Sequence, residues 1–66
     1  MKNRLKIERA MKDLTQEGLA RLVGVSRQTI NSIEKNRYVP STVLSLKISK
    51  IFGKNVNEIF ELEEDD

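Results

Sequence analysis

Cysteine and histidine are both absent from this sequence, proline occurs once and glycine only three times. Without cysteine no disulfide can staple the fold, which agrees with a cytoplasmic chain. Without histidine as well, the usual ligands of zinc and iron are missing, and no imidazole is available for proton transfer near neutral pH. No apolar run approaches the ~20 residues that span a bilayer. The opening MKNRLKIERAMKD carries charges every two or three residues where a secretory leader needs an apolar stretch. A glycine-rich phosphate loop is lacking too. The expectation is therefore no catalytic residue, no metal, no small-molecule cofactor and no membrane partner. The 66 residues leave room for one small core, since a chain of this size buries only about 60% of its unfolded-state surface. Stability must come from tight packing or from a partner.

Charge is present in quantity and unevenly placed. Residues 1–54 hold all 12 Lys and Arg against four acids, a net +8, while residues 55–66 hold six acids and no base, a net −6. A basic body suits a polyanionic partner, and an acidic end would repel one. A solvated surface with a frayed end accounts for the composition as well, so the decision falls to spacing.

Apolar positions recur at the helical period, and β-branched residues do not alternate over any long stretch, which predicts an all-α fold. A first helix covers about residues 3–12. A second runs from its N-cap Thr15 through Val23, burying Leu19, Leu22 and Val23 with Ala20 at a close contact, and Gly24 stops it. Ser26 caps a third helix over about 27–35, with Ile30 and Ile33 inward. Asn36, which tolerates positive φ, closes it. After the loop RYVPS, Ser41 caps a fourth helix to about Phe52, whose apolar face is Val43, Leu44, Leu46, Ile48, Ile51 and Phe52. Gly53 ends it, and NVNEIF predicts a short fifth helix capped by Asn57. Glu8 and Glu17 read as solvated helix charges. Residues 1–60 make one domain and 61–66 an acidic tail.

Two of these helices are joined by so short a turn that their relative geometry is set. Leu19, Val23, Val25, Ile30 and Ile33 converge on one core, which sends Arg27, Gln28, Asn31, Ser32 and Lys35 outward. This is a helix-turn-helix formed by helices two and three, in which the second helix of the unit lies in the major groove. The stretches LTQEGLARLVGVSRQTINSIEKN and VPSTVLSLKISKIFGKNVNEIF resemble the phage-repressor-type (Cro/C1, Xre) helix-turn-helix family over roughly residues 3–60. The resemblance implies a compact four-to-five-helix bundle of the lambda-repressor-like type. It also implies a short prokaryotic transcriptional regulator. Two positions depart from the family pattern. Gly18 stands where an acidic or helix-favouring residue is usual, and Asn36 where Gly is usual.

Among the outward residues, the amide of Gln28 matches adenine N6 and N7 in the major groove. Arg27 can take a guanine bidentately or a phosphate. Asn31 and Ser32 reach bases directly or through water, and Thr29 offers a methyl to thymine. Gln16 is expected to donate to a phosphate at the start of helix two, and the resemblance implies the same for Thr15. Lys35, Asn36 and Arg37 follow the third helix and are expected to grip the backbone. Tyr38 either adds a phosphate contact or packs on the fourth helix. The resemblance further implies that Arg9 and Glu34 pair between helices one and three as a structural ion pair.

Ile59, Phe60 and Leu62 are too apolar for a tail meant only to be wet. Either they dock on helices one and four, or residues 58–63 pair with a second copy, a two-fold contact. The second is expected, because one small reading head rarely supplies enough specificity alone. The leading expectation is a sequence-specific double-stranded DNA-binding repressor acting as a homodimer. The alternative is a protein-binding module such as an antitoxin or adaptor.

Overall fold

Three hydroxyls decide where the three longest helices begin. Thr15 Oγ1 accepts from the Gly18 N–H at 2.9 Å, Ser26 Oγ from the Thr29 N–H at 3.2 Å and Ser41 Oγ from the Leu44 N–H at 3.1 Å. Each side chain satisfies one of the free donors of a first helical turn. Positive φ then closes the elements, at Gly24 (76°), Asn36 (59°) and Gly53 (63°). Asp13 (53°) closes the first helix in the same way. A computed structural model describes residues 1–66. In chain order its elements are β1 (Lys2–Asn3), α1 (Leu5–Met11), α2 (Gln16–Val23), α3 (Arg27–Glu34), α4 (Thr42–Phe52), α5 (Val56–Ile59) and β2 (Phe60–Glu61). The five-helix bundle is of the lambda-repressor-like type expected, with α2 and α3 as the helix-turn-helix.

The helices are supplemented by one short antiparallel ladder. Lys2 pairs with Glu61 and Asn3 with Phe60, and the Arg4 N–H donates to the Ile59 carbonyl at 2.8 Å. The first helix therefore starts at Leu5 and not at residue 3. Asn3 is held extended in the ladder, and its Oδ1 accepts from the Leu5 N–H at 3.1 Å. The fifth helix is preceded by Asn55, not capped by Asn57, because Glu58 reaches back to the Asn55 N–H at 2.9 Å. Outside the ladder the Met1 ammonium meets Glu63 Oε1 at 3.1 Å and Asp66 Oδ1 at 3.0 Å. Its hydrogen bonds to Asp66 and Glu63 raise its pKa above the ordinary amine value.

The core is one cluster drawn from every helix, with Leu5, Leu19, Ile30, Ile33, Ile48 and Ile59 closed off from solvent. It is narrower than the apolar pattern suggests. Leu22, Val43 and Leu46 remain 57%, 62% and 57% exposed. At about 100° per residue, the inward face of α2 is centred between Leu19, Ala20 and Val23, and Leu22 projects roughly 100° from that centre. Leu46 lies nearly opposite the Leu44–Ile48–Phe52 row of α4. Glu8 departs the other way. It sits one turn after Leu5 on the inward face, only 3% exposed. Lys54 Nζ donates to its carboxylate at 2.8 Å, with Arg4 Nε 4.0 Å away. A carboxylate so enclosed persists only because it is paired.

Ile59 and Phe60, at 1% and 5% exposure, belong to this core, while Leu62 is 77% exposed. The C-terminal segment thus docks on its own chain as far as Phe60. Ile59→Val is expected to cost about 1 kcal/mol and Phe60→Ala about 3–5 kcal/mol in urea unfolding. Silence of both changes would mean that this segment is not part of the folding unit.

Candidate nucleic-acid interface

Gly24 turns the chain in the left-handed conformation between α2 and α3, and Val25 packs its side chain on the core from within the turn. With Leu19 and Val23 on one side and Ile30 and Ile33 on the other fully enclosed, α3 cannot rotate about its axis without exposing apolar surface. Its opposite face is consequently fixed. Arg27 and Gln28 are exposed in its first turn, and Thr29, Asn31 and Ser32 are half-buried along one side. Lys35, Asn36 and Arg37 are exposed where it ends. Gln28, Thr29, Ser32, Arg37 and Tyr38 line one shallow depression. This places Tyr38, left between two roles on sequence, beside Gln28 and Arg37. The same ring also edges the groove toward Val43 and Leu44.

Several of these polar groups are partly engaged within the chain. The Thr29 hydroxyl lies 3.0 Å from the Ser26 hydroxyl, leaving its methyl as the freer group. Asn36 Oδ1 accepts from Asn3 Nδ2 at 3.1 Å, and the same Asn3 nitrogen donates to the Ile33 carbonyl at 2.9 Å. Asn3 thereby steadies the end of α3 from the N-terminal strand, a role no local pattern announces. Thr15 and Gln16 stand at the start of α2. Both N–H bonds of the Gln16 amide are directed inward, to Asn31 Oδ1 at 3.2 Å and Glu34 Oε1 at 3.1 Å.

Glu34 is the hub of that network. Arg9 grips it with two donors, Nε to Oε2 at 2.6 Å and Nη2 to Oε1 at 3.0 Å, while Arg9 Nη1 holds the Leu14 carbonyl at 2.8 Å. The side chains are 14% and 6% exposed, so this is a largely buried bidentate pair joining α1 to α3. Burial opposes ionisation of Glu34, but the Arg9 guanidinium and the Gln16 amide outweigh it and hold the carboxyl below its ordinary range. The hydrogen bond to Glu34 raises the Arg9 pKa in turn. The consequence for the surface is electrostatic. Glu34 is the one carboxylate of α3, and its charge is matched and turned inward. Arg27, Lys35 and Arg37 have no carboxylate partner within 4.0 Å. The exposed face of α3 therefore presents uncompensated positive charge around a set of amides and hydroxyls, the combination that meets phosphates and base edges.

Residues 5–59 match the helix-turn-helix family. Over 66 residues, all of both chains, the sequence is 54% identical to an uncharacterized HTH-type transcriptional regulator of Methanocaldococcus jannaschii. It is 49% identical over 65 residues, 98% of each chain, to an uncharacterized HTH-type transcriptional regulator of Bacillus subtilis. A third, from Archaeoglobus fulgidus, is 42% identical over 66 residues, 100% of this chain and 93% of its own.

Because the folded pKa of Glu34 is depressed, its ionised form stabilises the fold at any pH above the unfolded value. That contribution disappears as acid protonates it. Urea unfolding is expected to show stability falling below about pH 4.3, where an unperturbed glutamate takes up its proton. Glu34→Gln should flatten that fall. Glu34→Ala, which leaves Arg9 unpaired, should cost about 3 kcal/mol at neutral pH.

Proposed function

The chain belongs to the helix-turn-helix family of transcriptional regulators, and on that premise we propose that it is a sequence-specific repressor. In this reading it binds double-stranded DNA in the cytoplasm by laying α3 in the major groove of a pseudo-palindromic operator. The observation that carries the reading is that Arg27, Lys35 and Arg37 stand exposed and without carboxylate partners at the start and just past the end of a helix that its buried face prevents from turning. Residues 1–60 form the DNA-binding unit, and 61–66 an acidic extension. Gln28 reads a base through its amide, and Arg27 takes a guanine or a phosphate. Thr29, Asn31 and Ser32 supply further base contacts. Thr15 and Gln16 bring the free N–H groups that open α2 against one phosphate. Lys35, Asn36 and Arg37 hold the backbone beyond, with Tyr38 at their side.

Two half-sites require two copies, about one helical turn (roughly 10 bp) apart. Ile59 and Phe60 are occupied in the chain's own core, so residues 58–63 offer a second copy chiefly Leu62. The neighbouring apolar groove, lined by Met1, Val39, Leu46, Val56 and Phe60, extends the surface available for a two-fold contact. Val39 and Leu46 are 65% and 57% exposed there.

Binding to the operator is expected to weaken steeply with salt. Gln28→Ala should relax preference at one base position by about 1–3 kcal/mol, measured by selection from random duplexes. Equal weakening on every sequence would show that Gln28 does not read. Leu46→Asp should convert the homodimer to monomer in sedimentation. An unchanged mass would remove this face as the interface.

A further inference from the structure

The donors and acceptors around Glu34 can be assigned by chemistry alone. An ionised carboxylate only accepts hydrogen bonds, so the Gln16 atom 3.1 Å from Glu34 Oε1 must be its amide nitrogen. The same nitrogen faces Asn31 at 3.2 Å, and the Asn31 atom that meets a donor must be its carbonyl oxygen. Asn31 is thus turned with Oδ1 toward α2, and its free Nδ2 is the atom left to interact outward. A lone asparagine pairs with adenine by giving one hydrogen bond and accepting another. Here Oδ1 is held toward α2 by the bond from Gln16, so the two-bond pairing would require the amide to turn away from it.

We propose that Gln16 is a positioning residue that turns the Asn31 amide nitrogen toward the major groove, so that Asn31 selects a base presenting acceptors. Guanine offers that nitrogen two adjacent acceptors, N7 and O6, and thymine offers O4; adenine offers N7 with the N6 donor beside it, and cytosine only the N4 donor. The order of command runs from Arg9 to Glu34 to Gln16 to Asn31, from a buried ion pair to a base-reading atom. Gln16 thereby acts on sequence choice without itself touching a base. This inference rests on the placement of α3 in the major groove.

Selection from random duplexes at 0.1 M salt, with wild type, Gln16→Met and Asn31→Ala, tests it. Wild type is expected to favour guanine over adenine at the one position that loses its preference in Asn31→Ala. Gln16→Met, which releases Asn31 Oδ1 to accept from adenine N6, should raise adenine over guanine at that position by roughly tenfold, over and above any uniform loss of affinity from the change beside the phosphate. A Gln16→Met profile identical to wild type, or uniformly weaker, overturns the positioning role while DNA binding stands. Failure of wild type to enrich any sequence overturns the DNA-binding reading and this inference with it. A second measurement needs neither DNA nor a variant. In the free protein the Gln16 side-chain amide protons should exchange with solvent more slowly than those of Asn31. Equal, fast exchange of both overturns the proposal even if Gln16→Met does not fold.

Discussion

Much of this protein depends on one carboxylate being where no carboxylate would go unaided. Glu34 ends α3 in a largely enclosed position, and Arg9 meets it with a two-pronged guanidinium from α1. A pair of this kind adds little net stability over an apolar replacement, because removing both charges from water is costly. What it supplies is geometry. Two parallel hydrogen bonds tolerate one relative orientation of two helices, and Arg9 uses a third donor to hold the Leu14 carbonyl just before α2. One guanidinium therefore ties α1 to the chain entering α2 and to the end of α3.

The same pair shapes the electrostatics of the exposed side. An unpaired Glu34 would place negative charge at the end of the helix we propose approaches DNA. Paired and turned inward, it leaves Arg27, Lys35 and Arg37 to set the local potential. The acids of the C-terminal end are managed differently. Glu61 lies 3.6 Å from Lys2, and Glu63 and Asp66 meet the N-terminal ammonium. These are exposed contacts that salt would weaken. Beneath them lies a firmer closure, in which the β1–β2 ladder seats Ile59 and Phe60 in the core. A chain without disulfides and with so small an interior gains from closing its two ends on each other, since each otherwise frays.

The helix-turn-helix was legible in the sequence because its determinants are local. Thr15, Ser26 and Ser41 announce helix starts, Gly24 and Asn36 announce stops, and the 3.6-residue period orients what lies between. Two departures from that local pattern come from contacts between distant residues. Asn3 belongs to a ladder with Phe60, so it could not join α1. Glu8 is enclosed by pairing with Lys54, 46 residues away, and nothing in the local sequence signals that approach. Leu22 and Leu46 are apolar yet exposed, because hydrophobicity marks a residue able to be buried, not the direction from which a partner helix arrives.

By itself, the sequence determined which residues form helices, which faces those helices could bury, and which polar side chains a reading helix would carry, because capping and periodicity act within a few residues. Only the tertiary structure decided which of those side chains are free and with which atom they face outward. Gln16 and Asn31 are 15 residues apart, and their amides take their directions from Glu34 on another turn and Arg9 on another helix. Hydrogen-bond polarity passes through space from donor to acceptor, and the helical period carries no record of it.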